Sequence, residues 1–345
     1  MKKLGIISLL SLIVINMSFC RKDVNNPNEG ITGEEISKTV ITPDTDKNGF
    51  KIPFKDLVAL TAVFNEKNKY DGRNIERLVL LDYNNPENYR VVNDTNFIQV
   101  VRPKFSPDKS KILFGDETLV IMDAGPPLFI YNLVDSSIYN FGRPRLEPLT
   151  GIETVWNLDN SSFYYSNLPA WGFAYIYFYQ LSPPSQYLVL VPERSAFVKA
   201  MINPNTLLIL KELTFLEDEK PEFYLLNLLD NSLGKIDNPY LTYTVNGRMR
   251  AASHFDWNSE SELLVYSENG KISVTNLDGS YYRNYTQGNR DYYPVWGPEG
   301  KTVLFQRGSE LRGRIMVLNV ETGEVREFVI PETIDNAIAL RFPDY

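Results

Sequence analysis

The sequence predicts an all-β chain folded as a six-bladed β-propeller, with four-stranded antiparallel blades and a ring closed by N- and C-terminal strands in one shared blade. Three observations carry this. A short grammar recurs along the chain: a Pro, a gap, an aromatic, a Pro-acid turn, then an apolar strand. It recurs roughly every 47 residues, the repeat length of four-stranded propeller blades. The C-terminus starts a unit that it does not finish, and the N-terminal part finishes a unit that it does not start.

The first 19 residues read as a signal peptide. Lys2 and Lys3 give a positive start, and Leu4 to Ile15 is an apolar run. A spanning helix takes about 20 apolar residues, so this run is too short for one and fits a signal core. Cys20 is the only cysteine of the chain and stands at the end of that segment. The arrangement resembles a bacterial lipoprotein signal, which is cut before a Cys that then carries the acyl chains. Met17 and Phe19 replace the Leu and the small residue of the usual box. An ordinary signal peptide with an incidental Cys is the other reading. Residues 20–50 follow as a lipidated Cys and a flexible tether. They are rich in Asn, Asp, Glu, Lys, Pro and Gly, and bury too little to offset the entropy of ordering. Within the tether, Asp44 to Gly49 resembles the start of a calcium loop. Position 12 of that loop is Lys55 rather than Glu, so a polar turn is the plainer reading and no metal is expected.

Residues 51–345 make the propeller. The sharpest repeats are Arg102 to Asp108, followed by Lys111 to Phe114, and Tyr293 to Gly300, followed by Lys301 to Phe305. Looser copies centre on Trp156, Ile202 and Trp257, and the last on Phe342. Apolar stripes at helical spacing are missing, which removes a helical solenoid. Asn269-Gly270 is a two-residue hairpin signal, since both central residues of that turn need positive φ. Leu57 to Phe64, Arg77 to Asp82 and Tyr89 to Val92 supply three strands, and Ala337 to Phe342 the fourth of the same blade. Closing the ring in this way removes exposed sheet edges between blades.

At these repeats the chain resembles the TolB-like β-propeller family, on Phe105-Ser106-Pro107-Asp108 and Trp296-Gly297-Pro298-Glu299-Gly300 above all. The resemblance implies a bacterial, envelope-located propeller that makes protein contacts or assists an enzyme. Its recurrent aromatics Phe105, Trp156, Trp257 and Trp296 are expected to pack between blades, since each large ring buries about 150–250 Å2.

Composition narrows function. Lys plus Arg is 35 against 43 for Asp plus Glu, a net charge of −8, which argues against wrapping nucleic acid or coating an anionic membrane. One His and one Cys leave no zinc cluster. Neither a Gly-x-Ser-x-Gly elbow nor a phosphate loop occurs, and His254 is read as structural. No catalytic residue, cofactor or metal is therefore expected. Trp171 stands off the repeat's aromatic position in Pro169 to Phe173, and it and Phe173 are the candidate partner contact. The function expected is a lipid-anchored, monomeric protein-binding scaffold of the bacterial envelope, on the outer membrane with its facing open. The alternatives are a structural envelope lipoprotein without a discrete ligand, and a metal-dependent hydrolase using channel carboxylates.

Overall fold

The computed structural model describes residues 56–67, 74–92, 100–116, 128–140, 149–169, 174–189, 196–211, 220–288, 290–309, 312–331 and 339–341. Cys20, Trp171, Phe173 and Phe342 lie outside them, as does the Asp44 loop.

The described chain is a ring of six four-stranded antiparallel sheets. Blade 1 holds β1 (Leu57–Lys67), β2 (Asn74–Asp82) and β3 (Tyr89–Val91). Blade 2 is β4 (Val100–Phe105), β5 (Lys111–Asp116), β6 (Leu128–Asn132) and β7 (Ile138–Asn140). Blade 3 is β8 (Leu149–Trp156), β9 (Ser162–Pro169), β10 (Tyr175–Leu181) and β11 (Pro184–Val189). Blade 4 is β12 (Ala196–Asn203), β13 (Thr206–Lys211), β14 (Glu222–Asn227) and β15 (Leu233–Lys235). A hairpin, β16 (Thr242–Val245) and β17 (Arg248–Ala251), then stands outside the blade scheme. Blade 5 is β18 (Ser253–Asn258), β19 (Leu263–Glu268), β20 (Lys271–Thr275) and β21 (Tyr282–Asn284). Blade 6 is β22 (Asp291–Trp296), β23 (Thr302–Ser309), β24 (Arg312–Asn319) and β25 (Val325–Glu327).

Ring closure follows the expectation. β26 (Ala339–Arg341) pairs antiparallel with β1, Ala339 opposite Val63 and Arg341 opposite Thr61, and becomes the innermost strand of blade 1. The two ends of the chain thus share one sheet.

Alternation along each strand sends apolar side chains to both neighbouring blades, and each blade boundary holds one apolar cluster. Leu80 and Phe114 seal blades 1 and 2, Ile130 and Phe163 blades 2 and 3, and Ile176 and Leu207 blades 3 and 4. Leu208 and Tyr266 seal blades 4 and 5, Val274 and Phe305 blades 5 and 6, and Val317 and Leu60 close the ring between 6 and 1. The recurrent aromatics belong to these clusters, each facing the preceding blade.

One anchor shifts by a residue. Phe105 pairs with Ile112, Trp156 with Phe163, Trp257 with Leu264 and Trp296 with Val303. In blade 4 the turn is a residue shorter, Met201 pairs with Leu207, and Ile202 falls in an irregularity of the ladder. Met201, not Ile202, therefore holds the anchor place.

The turns have local causes. Asn269 and Gly270 both take positive φ (48° and 73°) between the paired Glu268 and Lys271, as the hairpin signal requires. The turn into the outer strand repeats a device that the sequence reading did not single out. An Asp or Asn ends the third strand, or directly follows it, and its side chain accepts a backbone N–H two or more residues on. Asp82, Asn132, Asn227, Asn276 and Asn319 do this in blades 1, 2, 4, 5 and 6. Blade 3 has Leu181 at this place, paired directly with Pro184.

Candidate binding site at the channel mouth

The first strands run along the axis of the ring and end at the recurrent anchors. Where they turn, a cavity of about 460 Å3 opens, lined by residues of all six blades. Phe105, Trp156, Met201, Trp257 and Trp296 edge it, so the rings that seal the blade boundaries also form the rim of the mouth.

The charges sit one residue before an anchor, in the turn after it, or in the ladder bulge before it. Lys104, Lys109, Lys199 and Asp256 face the cavity. Three cations to one anion is a reversal in a chain whose net charge is −8. Lys104 and Lys109 come from blade 2 and Asp256 from blade 5, on opposite sides of a six-membered ring, and these charges sense one another across the axis. Burial pushes the Asp256 carboxyl up to about 6, while the backbone N–H of Trp296 and Trp257 and the charges of Lys104 and Lys109 pull it down. Its two oxygens accept from Trp296 N at 2.8 Å and Trp257 N at 3.0 Å. Burial pushes the Lys109 ammonium below its ordinary value, and Asp256 and Asp56 act against that. Lys109 Nζ donates to the Leu57 carbonyl at 3.4 Å. Lys199 is held by Glu153 of blade 3 at 2.6 Å and lies over the Phe197 and Phe255 rings.

Such a mouth suits an anionic ligand with an apolar or aromatic body. Lysine charge attracts the anion, and the half-buried Trp257 and Trp296 offer apolar surface for the body. A carboxylate cage for a metal is a different arrangement. Among the described residues no group of three or more His, Cys, Asp or Glu comes together, and Asp256 is the one carboxylate on the cavity wall.

His254 stands in the ladder irregularity of β18 with φ of 56°. Its Nδ1 lies 3.0 Å from Ser253 Oγ and 2.9 Å from Ser267 Oγ, and its ring meets Tyr293 edge-on at 4.3 Å. Tyr293 occupies the same repeat position in blade 6, also at positive φ (55°). The unusual backbone thus recurs in blade 6 and is not particular to the histidine. Ser267 is buried and its hydroxyl also donates to the Ser253 carbonyl, so these bonds tie the first two strands of blade 5, while the ring contact with Tyr293 reaches blade 6.

Phe105, Trp156, Trp257 and Trp296 take the packing role that the sequence assigns, and they edge the mouth as well. The mouth lysines and Asp256 went unnoticed in the sequence. The available signal was the position just before each anchor, which reads Lys104, Val155, Ala200, Asp256 and Val295 in successive blades.

No protein-family model matches the sequence, and no curated protein matches it. Solved structures do match the fold. TolB from Acinetobacter baumannii superposes with a TM-score of 0.61 at 13% identity, over 85% of this chain and 67% of that one. A chain of a nidogen/laminin complex gives 0.57 at 9% identity, over 83% and 96%. A protein described as putative TolB from Agrobacterium tumefaciens gives 0.52 at 14%, over 83% and 99%. At these identities the likeness is one of fold alone, a β-propeller fold that this chain shares with the TolB structures.

Proposed function

We propose that this chain is a lipid-anchored, non-enzymatic protein-binding scaffold of the bacterial envelope, and that its channel mouth receives an acidic segment of a partner protein. The mouth carries this reading: an aromatic rim with Lys104 and Lys109 facing Asp256, and Lys199 paired with Glu153, built into an acidic protein. Charge of one sign focused in a cleft steers a ligand of the other sign, and the anchors of the blades hold that cleft rigid.

The Lys2-Lys3 start, the apolar run and the single Cys20 support cleavage of residues 1–19 and lipid attachment at Cys20, on the outer membrane. Residues 21–50 then give the propeller reach, and 51–345 form the scaffold. Among the described residues no helix is long and apolar enough to cross a membrane, which is compatible with a lipid as the sole anchor. The candidate contact at Trp171 and Phe173 stays a second place for a partner, off the axis.

Affinity capture from detergent-solubilised envelopes with the full chain tests the scaffold reading. Wild type is expected to recover one stoichiometric partner. The Lys104→Glu, Lys109→Glu double variant is expected to lose it at least tenfold while melting like wild type. A partner retained by the double variant moves the contact away from the mouth. Mass spectrometry of the mature N-terminus checks the anchor, and an unmodified Cys20 removes it.

A further inference from the structure

The outer rim of blade 3 is unlike the other five. β3, β7, β15, β21 and β25 each run 3 residues, whereas β11 runs 6. The cause is the missing Asp or Asn turn. With Leu181 paired straight to Pro184, the hairpin is tight and β11 stays on the ladder until Val189. Among the described residues no strand pairs with its outer side.

Proteins protect sheet edges by keeping them short or by charging them. Arg90, Lys235, Arg283 and Arg326 charge four of the short outer strands. β11 is Pro-Ser-Gln-Tyr-Leu-Val, and residues 160–192 contain no Asp, Glu, Lys, Arg or His. Its Tyr187 is 52% exposed and Leu188 37% exposed. The edge is also stiff. Tyr187 stacks on Phe178 at 4.6 Å, and Phe178 meets Tyr164 at 5.0 Å.

We propose that β11 pairs antiparallel with β11 of a second copy of this chain, joining two blade 3 sheets into one eight-stranded sheet across a two-fold axis. An edge strand related to its copy by a two-fold is antiparallel to it by symmetry, so the same groups serve both sides. Such pairing sets the side chains nearest the axis beside their own copies, which penalises a charge there and leaves an uncharged edge free of repulsion. β11 is the outer strand that is both long enough and uncharged. The joint lies three strand spacings, about 14 Å, outside the first strand of its blade, so the channel mouth stays open in the dimer. This replaces the monomer that the sequence suggested, and it is independent of what the mouth binds.

The test is the number of chains per particle, measured by sedimentation velocity of the purified full chain in detergent. Wild type is expected to show two. Tyr187→Lys and Ser185→Lys, each placing two ammonium groups near the axis, are expected to show one, with melting temperatures like that of wild type. Leu229→Lys, at a more exposed apolar residue on blade 4, is expected to keep two. One chain per particle in wild type overturns the proposal, as do two chains in both β11 variants.

Discussion

Trp257 and Trp296 hold the same place in adjacent blades, but the boundaries they face are joined differently. Trp296 Nε1 donates to the Asp256 carbonyl at 3.2 Å, and its backbone N–H to the Asp256 carboxylate at 2.8 Å. Trp156 repeats the first of these bonds, from Nε1 to the Lys104 carbonyl at 3.1 Å. In both cases the acceptor is the residue just before the anchor of the preceding blade. The matching acceptor for Trp257 is Ala200, yet Trp257 Nε1 is buried with no partner. The difference starts one blade earlier, in the shorter turn that pairs Met201 with Leu207. A conserved place in a repeat thus gives a ring its packing, while the register of its neighbour decides whether its N–H is satisfied.

Blade 6 holds a buried ion pair at the other end of its strands, beside the 5/6 boundary, and breaking it is expected to have the largest effect. Asp291 is fully buried, donates its N–H to the Gly270 carbonyl of blade 5 at 3.0 Å, and accepts from Arg307 Nε at 2.7 Å and Nη2 at 2.9 Å. The bond to Asp291 holds the Arg307 guanidinium above its ordinary value. Asp291→Ala leaves a partly buried cation facing an empty place, and is expected to cost about 3 kcal/mol in denaturant unfolding. Asp291→Asn keeps one acceptor and is expected to cost about half. A loss below roughly 1 kcal/mol for the Ala variant means that the pair contributes little to the stability of blade 6.

Asp256 gives the same boundary a pH dependence. Its folded value of about 6 lies above the ordinary 3.8, so between these the folded protein holds a proton that the unfolded chain has released. The contribution of this group is therefore fully present below about pH 4 and is lost as pH rises through 6. Because the carboxylate faces the open mouth, solvent screening keeps the change to about 1–2 kcal/mol. The difference between wild type and Asp256→Asn, followed from pH 4 to 7, isolates it from the other carboxylates. That difference should drift by this amount in favour of the Asn variant. A flat difference removes the burial effect.

The ring, its closure and the packing role of the aromatics were legible because a local grammar marks them. Phe105 to Asp108 and Trp296 to Gly300 state the strand, the turn and the anchor within a few residues, and Ala339 to Arg341 complete the unit that Leu57 begins. What hid were properties of three-dimensional neighbours. Lys109 and Asp256 are far apart in sequence and meet only through the ring. The shift from Ile202 to Met201 depends on one missing turn residue, which a degenerate repeat conceals. The hairpin β16–β17 was missed although Asn246-Gly247 marks its turn, because it belongs to no blade. The long β11 follows from Leu181 standing where other blades have Asp or Asn, a signal visible only after the turns are superposed.

The three tryptophans allow a sharper and smaller test of the opening contrast. Trp→Phe at 156, 257 and 296 removes a similar volume in each case, so a common packing loss cancels between variants. What differs is the indole N–H. Trp156→Phe and Trp296→Phe each give up a hydrogen bond, at about 1 kcal/mol. Trp257→Phe gives up none and relieves a buried donor that has no acceptor, which offsets part of its packing loss. It is therefore expected to be the mildest of the three, by about 1–2 kcal/mol, in unfolding measured at one pH and salt. If its cost equals that of Trp296→Phe, the indole bonds do not distinguish the boundaries. The contrast then reduces to the bonds from the Trp296 N–H to the Asp256 carboxylate and from the Asp291 N–H to the Gly270 carbonyl, which join blades 5 and 6.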